Sequence, residues 1–168
     1  HNSQPIVTEI RKLIFDERYP SWILNHGKFS YNHKKKMGVY AFQMFPAIQI
    51  YDFINSLDKT VIVAIESFDY TTISEADVWE ANPIQFKDIS TTDNYIYALY
   101  WGKESWGRFD TPYVNTIHVF DWDGNFVQEI ETDYGLDQMW VDSTRDRLYL
   151  TSPKVDEVFY LDLNEVFD

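Results

Sequence analysis

The sequence Ile89-Ser-Thr-Thr-Asp-Asn-Tyr-Ile-Tyr97 recurs without a gap as Val141-Asp-Ser-Thr-Arg-Asp-Arg-Leu-Tyr149, and this repeat is the clearest indication of the fold. Each copy reads as the end of one strand, a polar turn and the start of the next strand. A repeat at this spacing indicates a fold that is assembled from similar structural units.

A second element occurs three times around the first. Its pattern is x-h-x-h-h-Asp-h, where h is apolar or aromatic, and near-alternation of this kind predicts a strand. Asp123-Gly124 adds a strong hairpin signal, because glycine accepts a positive φ angle. The three copies are Ala47–Phe53, Thr116–Trp122 and Glu157–Leu163, and the flanking predicted strands are Val39–Phe42, Tyr95–Trp101, Leu148–Thr151, Val61–Ile65 and Phe126–Ile130.

This order predicts an all-β fold of the β-propeller type, in which four-stranded antiparallel blades follow one another every ~40–50 residues. We expect about three blades, half of a six-bladed ring, with insertions at 68–83 and 103–114. Because a ring must close to protect its edges, the remaining blades would come from a missing segment or a second chain, and two half rings could pair. The predicted divisions are about 1–31 for the end of a preceding blade and the start of the next, 37–88 and 89–140 for two blades, and 141–168 for a partial blade.

Composition excludes several classes of function. Asp and Glu total 27 against 14 Lys and Arg, a formal charge of −13, and such acidity disfavours nucleic acid and anionic membrane surfaces as partners. The absence of cysteine excludes disulfides, thiol nucleophiles and cysteine metal sites. The longest uncharged run, 37–51, contains Gly38 and Pro46 and is too short for a transmembrane segment of ~20 residues.

No catalytic residue, metal site or cofactor is predicted. The aspartates that end the recurring element, Asp52, Asp121 and Asp162, are expected to hydrogen-bond the amides of the following turn rather than to form a catalytic acid cluster. The stretch 121–125 has its glycine two positions too early for a calcium loop, so a hairpin turn is favoured. The histidines lack metal-ligand spacing, and Gly102–Gly107 misses the nucleophile-elbow pattern by one residue.

The insertion at 101–113 is the stretch that we favour for binding. Loops at a propeller rim commonly carry binding residues, and Trp, Tyr and Arg dominate the energetics of interfaces. The alternative is that these rings pack beneath the loop or against the missing blades. The candidate binding residues are Trp101, Trp106, Arg108, Phe109 and Tyr113.

Strand motifs spread over residues 28–163 carry a resemblance to a known family. They are Asp93–Gly102, Ile117–Asn125, Val141–Asp142 with Arg147–Leu150, Lys35–Ala41 and Ile48–Asp52. Together they resemble the C-terminal half of the TolB-like six-bladed β-propeller lipoproteins of Bacteroides-type bacteria. The resemblance implies a lipid-anchored protein of the cell envelope, at the outer membrane in its full-length form. It implies no catalytic residues, and a fold shared with TolB does not imply a shared function.

Two functions fit these observations. The first is a non-catalytic envelope propeller that binds a protein or glycan partner through its rim loops. The alternative is an envelope hydrolase or lyase that acts on polysaccharide, with carboxylates or a histidine at the propeller channel, since the chain is rich in Asp and Glu. A glycan panel tested with the intact protein would distinguish the two functions.

Overall fold

The computed structural model describes residues 26–62, 83–104, 115–152 and 157–167. Within these ranges the chain forms eleven strands and one turn of helix, so the predicted all-β class is confirmed. The strands are β1 (Gly27–Asn32), β2 (Met37–Phe42), β3 (Ala47–Asp52), β4 (Leu57–Ile62), β5 (Pro83–Thr91), β6 (Tyr95–Glu104), β7 (Thr116–Asp121), β8 (Phe126–Glu131), β9 (Gln138–Asp142), β10 (Arg147–Ser152) and β11 (Glu157–Asp162), and the helix is α1 (Leu163–Val166).

The strands form three antiparallel sheets in which each strand pairs with the next one along the chain. The first sheet holds β1 to β4, the second holds β5 to β8, and the third holds β9 to β11. The recurring element becomes the third strand of each sheet, namely β3, β7 and β11. Alternating apolar residues explain the strands: β10, for example, buries every second side chain against the neighbouring sheet.

The sheets begin earlier than the predicted divisions at 37, 89 and 141. Their first strands start at Gly27, Pro83 and Gln138. The predicted division at 37 therefore coincides with the start of β2, and the divisions at 89 and 141 fall within β5 and β9. Those divisions followed the sequence repeat, which spans the turn between the first and second strands rather than the gap between two sheets. Residues 1–25 of the first predicted range lie outside the described residues.

Two further boundaries differ from the prediction. Strand β6 continues to Glu104, so residues 102–104 extend the predicted strand Tyr95–Trp101 into the predicted insertion. Strand β4 begins at Leu57, before the predicted start at Val61, because the preceding turn ends at Ser56 in the left-handed region (φ 55°).

The sheets pack face to face in chain order. We call the face that a sheet turns toward the next sheet its front and the opposite face its back. The front of the first sheet and the back of the second enclose one apolar cluster, which includes Val39, Ile50, Ile96 and Phe120. The front of the second sheet and the back of the third enclose another cluster. The second sheet is therefore buried on both faces.

The first strands lie side by side where the sheets meet. The Ser30 and Thr91 hydroxyls are 3.3 Å apart, which joins β1 to β5. At the next interface the backbone N–H of Met139 donates to Asp88 (2.8 Å) and that of Val141 donates to Ser90 (3.0 Å). Sheets that meet at their first strands and spread outward form a β-propeller, and this chain supplies about three of its blades.

The third sheet ends differently from the other two. In the first two sheets an aspartate at the end of the third strand begins a hairpin to a fourth strand. In the third sheet Asp162 instead caps α1, accepting a hydrogen bond from the Asn164 amide. The helix buries Leu163, and Phe167 stacks on Tyr95 at 4.3 Å. The chain thus turns back onto the second sheet, and β11 has no fourth strand beside it among the described residues.

Candidate functional site

The two rims of the propeller differ in the lengths of their connections. We call the rim with the short turns at 33–36, 53–56, 92–94, 122–125 and 143–146 the turn rim. The opposite rim, which we call the loop rim, receives the connections 43–46, 63–82, 105–115, 132–137 and 153–156. Both of the predicted insertions thus connect strand ends at the loop rim.

Aspartate side chains cap the backbone amides at the turn rim. Asp52 accepts hydrogen bonds from the amides of Ile54 (2.9 Å) and Asn55 (3.0 Å). Asp121 accepts one from the Asn125 amide (2.8 Å), and Asp162 caps α1 as described. The predicted bonding to turn amides is therefore confirmed for Asp52 and Asp121, whereas Asp162 bonds an amide in the first turn of α1.

The caps also set the acidity of these carboxyl groups. The Asn55 side-chain amide, with backbone amides, holds the pKa of Asp52 below its usual value. At Asp121 partial burial opposes the hydrogen bonds from Asn125, yet the pKa is still lowered. Carboxyl groups that stay ionised in turns at separate strand ends do not form a shared proton-transfer site.

The stretch 121–125 is a hairpin turn, as predicted. Gly124 has a φ of 79°, in the left-handed region, and its amide donates to the Asp121 carbonyl at 3.0 Å. The turn packs on the first sheet, where the Lys59 ammonium donates to the Asp123 carbonyl. In the ranges that the structure describes, no cluster of three or more His, Asp or Glu side chains is arranged to hold a metal ion.

Trp101 is the one candidate binding residue whose position the structure describes. It lies in β6 on the same face as Tyr97 and Leu99, since side chains two and four residues apart share a face. Its side chain is 4% exposed and belongs to the cluster between the second and third sheets. Trp101 is thus a core residue at the loop rim. Its burial agrees with the alternative given above, in which the aromatic rings of this stretch pack inside the protein.

The other four candidates lie outside the described residues. They are Trp106, Arg108, Phe109 and Tyr113, all within the connection between β6 and β7. Because β6 ends at Glu104 and β7 begins at Thr116, this connection starts and ends at the loop rim. Their binding role remains a prediction.

Polar groups surround Trp101 at the loop rim. The Lys87 ammonium lies 5.0 Å from the centre of the Trp101 ring, within cation–π range, and 2.7 Å from an Asp137 carboxylate oxygen. The Asp137 amide donates to the Thr151 carbonyl at 2.9 Å. Lys87 and Asp137 therefore join the second sheet to the third beside the indole ring.

Two buried polar atoms near this rim have no hydrogen-bond partner within the described parts of the chain. They are the Trp101 Nε1 and the Ser152 Oγ, on faces turned toward the same cluster. An indole N–H only donates, whereas a serine hydroxyl donates or accepts. Within the described residues, these two groups at the loop rim are thus left without partners, while the recurring aspartates of the turn rim are satisfied.

These polar residues were not predicted from the sequence, for different reasons. The alternation of Leu148, Leu150 and Ser152 would have placed Ser152 on the buried face. No alternation could have placed Lys87, because the pairing of β5 with β6 shifts its register twice between Ile84 and Asp88.

His118 is the most buried of the described histidines, and it lies in mid-sheet rather than at a rim. Its Nε2 is 3.0 Å from a Glu129 carboxylate oxygen, and its ring stacks on Tyr100 at 4.4 Å. Burial lowers the pKa of His118, and Glu129 only partly offsets this effect. His118 is thus held neutral within a packed aromatic group.

Fold and rims together define a partial β-propeller with one capped rim and one rim of longer loops. The sequence model of the family described as TolB-like 6-blade propeller-like matches residues 23–144. The chain belongs to this family. No curated protein sequence matches the chain.

Solved structures support the same fold. Hydrazine synthase of Kuenenia stuttgartiensis superposes with a TM-score of 0.54 at 13% identity, over 82% of this chain and 34% of that one. The extracellular domain of BT4673, a candidate one component system from B. thetaiotaomicron, gives 0.50 at 11% identity, over 80% and 14%. The chain thus spans 34% and 14% of these neighbours, and at such identities the likeness shows the fold alone.

The described helix is a single turn, too short to cross a membrane.

Proposed function

We propose that the protein is a non-catalytic β-propeller of the cell envelope that binds a protein or glycan partner through its loop rim. The observation that carries the proposal is the asymmetry between the rims. The recurring aspartates cap the turn rim, whereas the insertions connect strand ends at the loop rim, where the Trp101 and Ser152 groups have no hydrogen-bond partner among the described residues.

The residues proposed for contact with the partner are Trp106, Arg108, Phe109 and Tyr113. Large aromatic side chains and arginine supply most of the binding energy at interfaces, and this connection concentrates them. Trp101 acts differently in the proposal: its ring, covered by Lys87, forms the rigid base from which the connection leaves β6.

The envelope location follows from the family resemblance. We propose that the full-length protein is anchored by a lipid at the outer membrane, so that the loop rim meets envelope proteins or surface glycans. The charge of −13 favours a neutral or basic partner over an acidic one.

A pull-down from envelope extract, together with a glycan array, tests the proposal. The double variant Trp106→Ala/Arg108→Ala is expected to lose most of the captured partner, because an aromatic and an arginine anchor are removed together. The matched control is Ile54→Ala, which removes an exposed apolar side chain from the turn rim.

Unchanged capture by a folded double variant would reject the named site. Release of product from any glycan on the array would contradict a non-catalytic role and would favour the hydrolase or lyase alternative.

A further inference from the structure

Lys87 and Asp137 form a charged pair at the loop-rim end of the interface between the second and third sheets. Their side chains meet at 2.7 Å and are 21% and 45% exposed. Lys87 lies where the pairing of β5 with β6 shifts its register twice, between Ile84 and Asp88. Such bulges redirect side chains and are common beside functional sites. The pair is therefore a positioned polar group at the surface of the rim.

Two buried polar groups adjoin this pair. The Lys87 ammonium lies over the face of the Trp101 ring, and Ser152 follows Thr151, whose carbonyl accepts a hydrogen bond from the Asp137 amide. Trp101 and Ser152 are each 4% exposed, and among the described residues neither the indole N–H nor the hydroxyl has a partner. Native proteins leave few buried polar groups unpaired, so two of them beside one surface pair indicate a place where a ligand supplies the partners.

The four side chains together determine which ligand chemistry fits. The Trp101 N–H needs an acceptor, the Ser152 hydroxyl takes a donor or an acceptor, and the charged pair offers one of each. Because the charges of Lys87 and Asp137 cancel, the group favours a neutral ligand that both donates and accepts hydrogen bonds. A hydroxyl group does both. The charge of −13 on the whole chain disfavours an anionic ligand.

Burial of the apolar residues at this end of the interface favours a sugar over a protein surface. Protein partners are usually held by aromatic and aliphatic anchors in an apolar interface core. Here the apolar side chains are at most 6% exposed, and Lys87 covers the face of the indole ring. These residues are Ile84, Trp101, Leu136 and Met139.

We propose that the loop rim binds a neutral sugar residue between the second and third sheets, with its hydroxyl groups hydrogen-bonded to Trp101, Ser152 and the charged pair. The sugar reaches the two buried groups when Lys87 moves off the indole ring, since a cation–π contact near the surface is weak. This inference rests on the proposed function, because it names a glycan as the partner of the loop rim.

Thermal unfolding of Ser152→Ala without ligand tests whether the hydroxyl is unpaired in the free protein. Removal of an unpaired buried hydroxyl should leave the unfolding temperature unchanged or raise it, because no hydrogen bond is lost. The matched control is Ser30→Ala, whose hydroxyl lies 3.3 Å from that of Thr91, and its unfolding temperature should fall. A fall in Ser152→Ala as large as that of the control would show a partner within the protein and overturn the site.

Titration of the isotope-labelled whole chain, followed by the NMR signals of the indole N–H groups, tests binding. The probes are glucose, galactose, mannose and N-acetylglucosamine, with galacturonic acid as the acidic comparison. We expect a neutral sugar to shift the Trp101 signal, which is assigned by its absence from Trp101→Phe, and to saturate in the millimolar range. A panel without any such shift, or a shift with galacturonic acid alone, would overturn the proposal.

Two variants locate the bound sugar. Ser152→Ala and Lys87→Met should each weaken binding by about three- to tenfold, the fold-change expected for one lost hydrogen bond. The control Lys34→Met breaks the matching pair at the turn rim, where Lys34 meets Asp93 at 2.6 Å, and should bind as the natural chain does. Undiminished binding by both site variants would place the sugar elsewhere and overturn the site.

Capture of the partner from envelope extract separates failure of this inference from failure of the proposed function. If Trp106→Ala/Arg108→Ala loses the partner while no sugar shifts the Trp101 signal, the rim binds a protein and only the sugar site fails. If a neutral sugar shifts that signal while the double variant still captures the partner, the sugar site stands and the named contact residues fail.

Discussion

Two rows of side chains occupy the same place in neighbouring sheets and meet opposite environments. The row Ser90–Tyr97–Val119 on the second sheet is covered, whereas the row Trp140–Tyr149–Tyr160 on the third is exposed. The strand pattern alone does not distinguish them, since both present large apolar side chains. The position of a sheet in the series of packed sheets determines whether such a row is buried or exposed. It therefore also determines how much each side chain contributes to the free energy of unfolding.

The largest expected difference separates Tyr97 from Tyr160. Tyr97→Ala removes a fully buried ring and should lower the free energy of unfolding by ~3–5 kcal/mol through lost burial and a cavity. Tyr160→Ala removes a half-exposed ring and should lower it by less than ~1 kcal/mol. Urea unfolding followed by circular dichroism measures both values.

Similar losses from the two tyrosine variants would contradict the difference between the rows. Tyr97→Phe is the matched control. It keeps the ring in place, and its loss should be much smaller than that of Tyr97→Ala.

The second expected effect concerns the hydrogen bond from the Met139 amide to Asp88, which links the second sheet to the third. Asp88→Ala leaves the Met139 amide without its acceptor and should lower the free energy of unfolding by ~1–3 kcal/mol. Burial raises the pKa of Asp88 despite that hydrogen bond, so its folded-state pKa exceeds the unfolded one and its charge opposes folding at neutral pH. Asp88→Asn keeps an acceptor without the charge.

Asp88→Asn should therefore be at least as stable as the natural chain at pH 7 in thermal unfolding. A loss equal to that of Asp88→Ala would show that the charge, rather than the acceptor, holds the sheets together.

A smaller effect compares the ends of the third strands. Asp121 begins a hairpin in the second sheet, and Asp162 caps α1 in the third. Replacing either aspartate with alanine should lower the free energy of unfolding by ~1 kcal/mol, the usual loss for a cap. The corresponding Asp→Asn variants retain an acceptor and should lose only part of this. An unchanged free energy of unfolding in both alanine variants would show that the aspartate caps do not stabilise the turn rim.

The smallest expected effect is a change in pH dependence at His118. Burial lowers the folded-state pKa of His118, so its contribution to stability is present above the unfolded value of 6.5 and is lost as the pH falls through the folded value. His118→Gln introduces the residue found at the equivalent buried position of the first sheet, Gln49. The natural chain should lose more thermal stability than this variant between pH 7 and pH 5. Equal losses would contradict the neutral, buried state of His118.

The sequence predicted the fold well because two of its signals are local. Alternation placed the strands, and the recurring aspartate marked the end of each third strand, where Asp52, Asp121 and Asp162 form the expected caps. Both signals depend on neighbours within a few residues, so they can be recognised without knowledge of the tertiary structure.

The first strands and the site were harder to predict. The gapless repeat aligns Ser90 with Asp142, whereas the strand registers make Ser90 the counterpart of Trp140, because the turn before β6 is tighter than the turn before β10. The predicted strand ends at Trp101 and the predicted insertion starts there, whereas β6 continues to Glu104, because its length depends on its pairing with β5. Pairing between distant segments is not encoded in a local pattern.

The most direct test of the front-to-back packing is a disulfide between neighbouring first strands. The Ser30 and Thr91 hydroxyls are 3.3 Å apart, so Ser30→Cys/Thr91→Cys should oxidise spontaneously and raise the unfolding temperature. Ser30→Cys/Ser90→Cys is the control, because Ser90 lies on the face of β5 turned toward the third sheet. A disulfide in the first variant alone is the predicted result. Two free, reactive thiols in the first variant would contradict the packing of β1 beside β5 and, with it, the propeller.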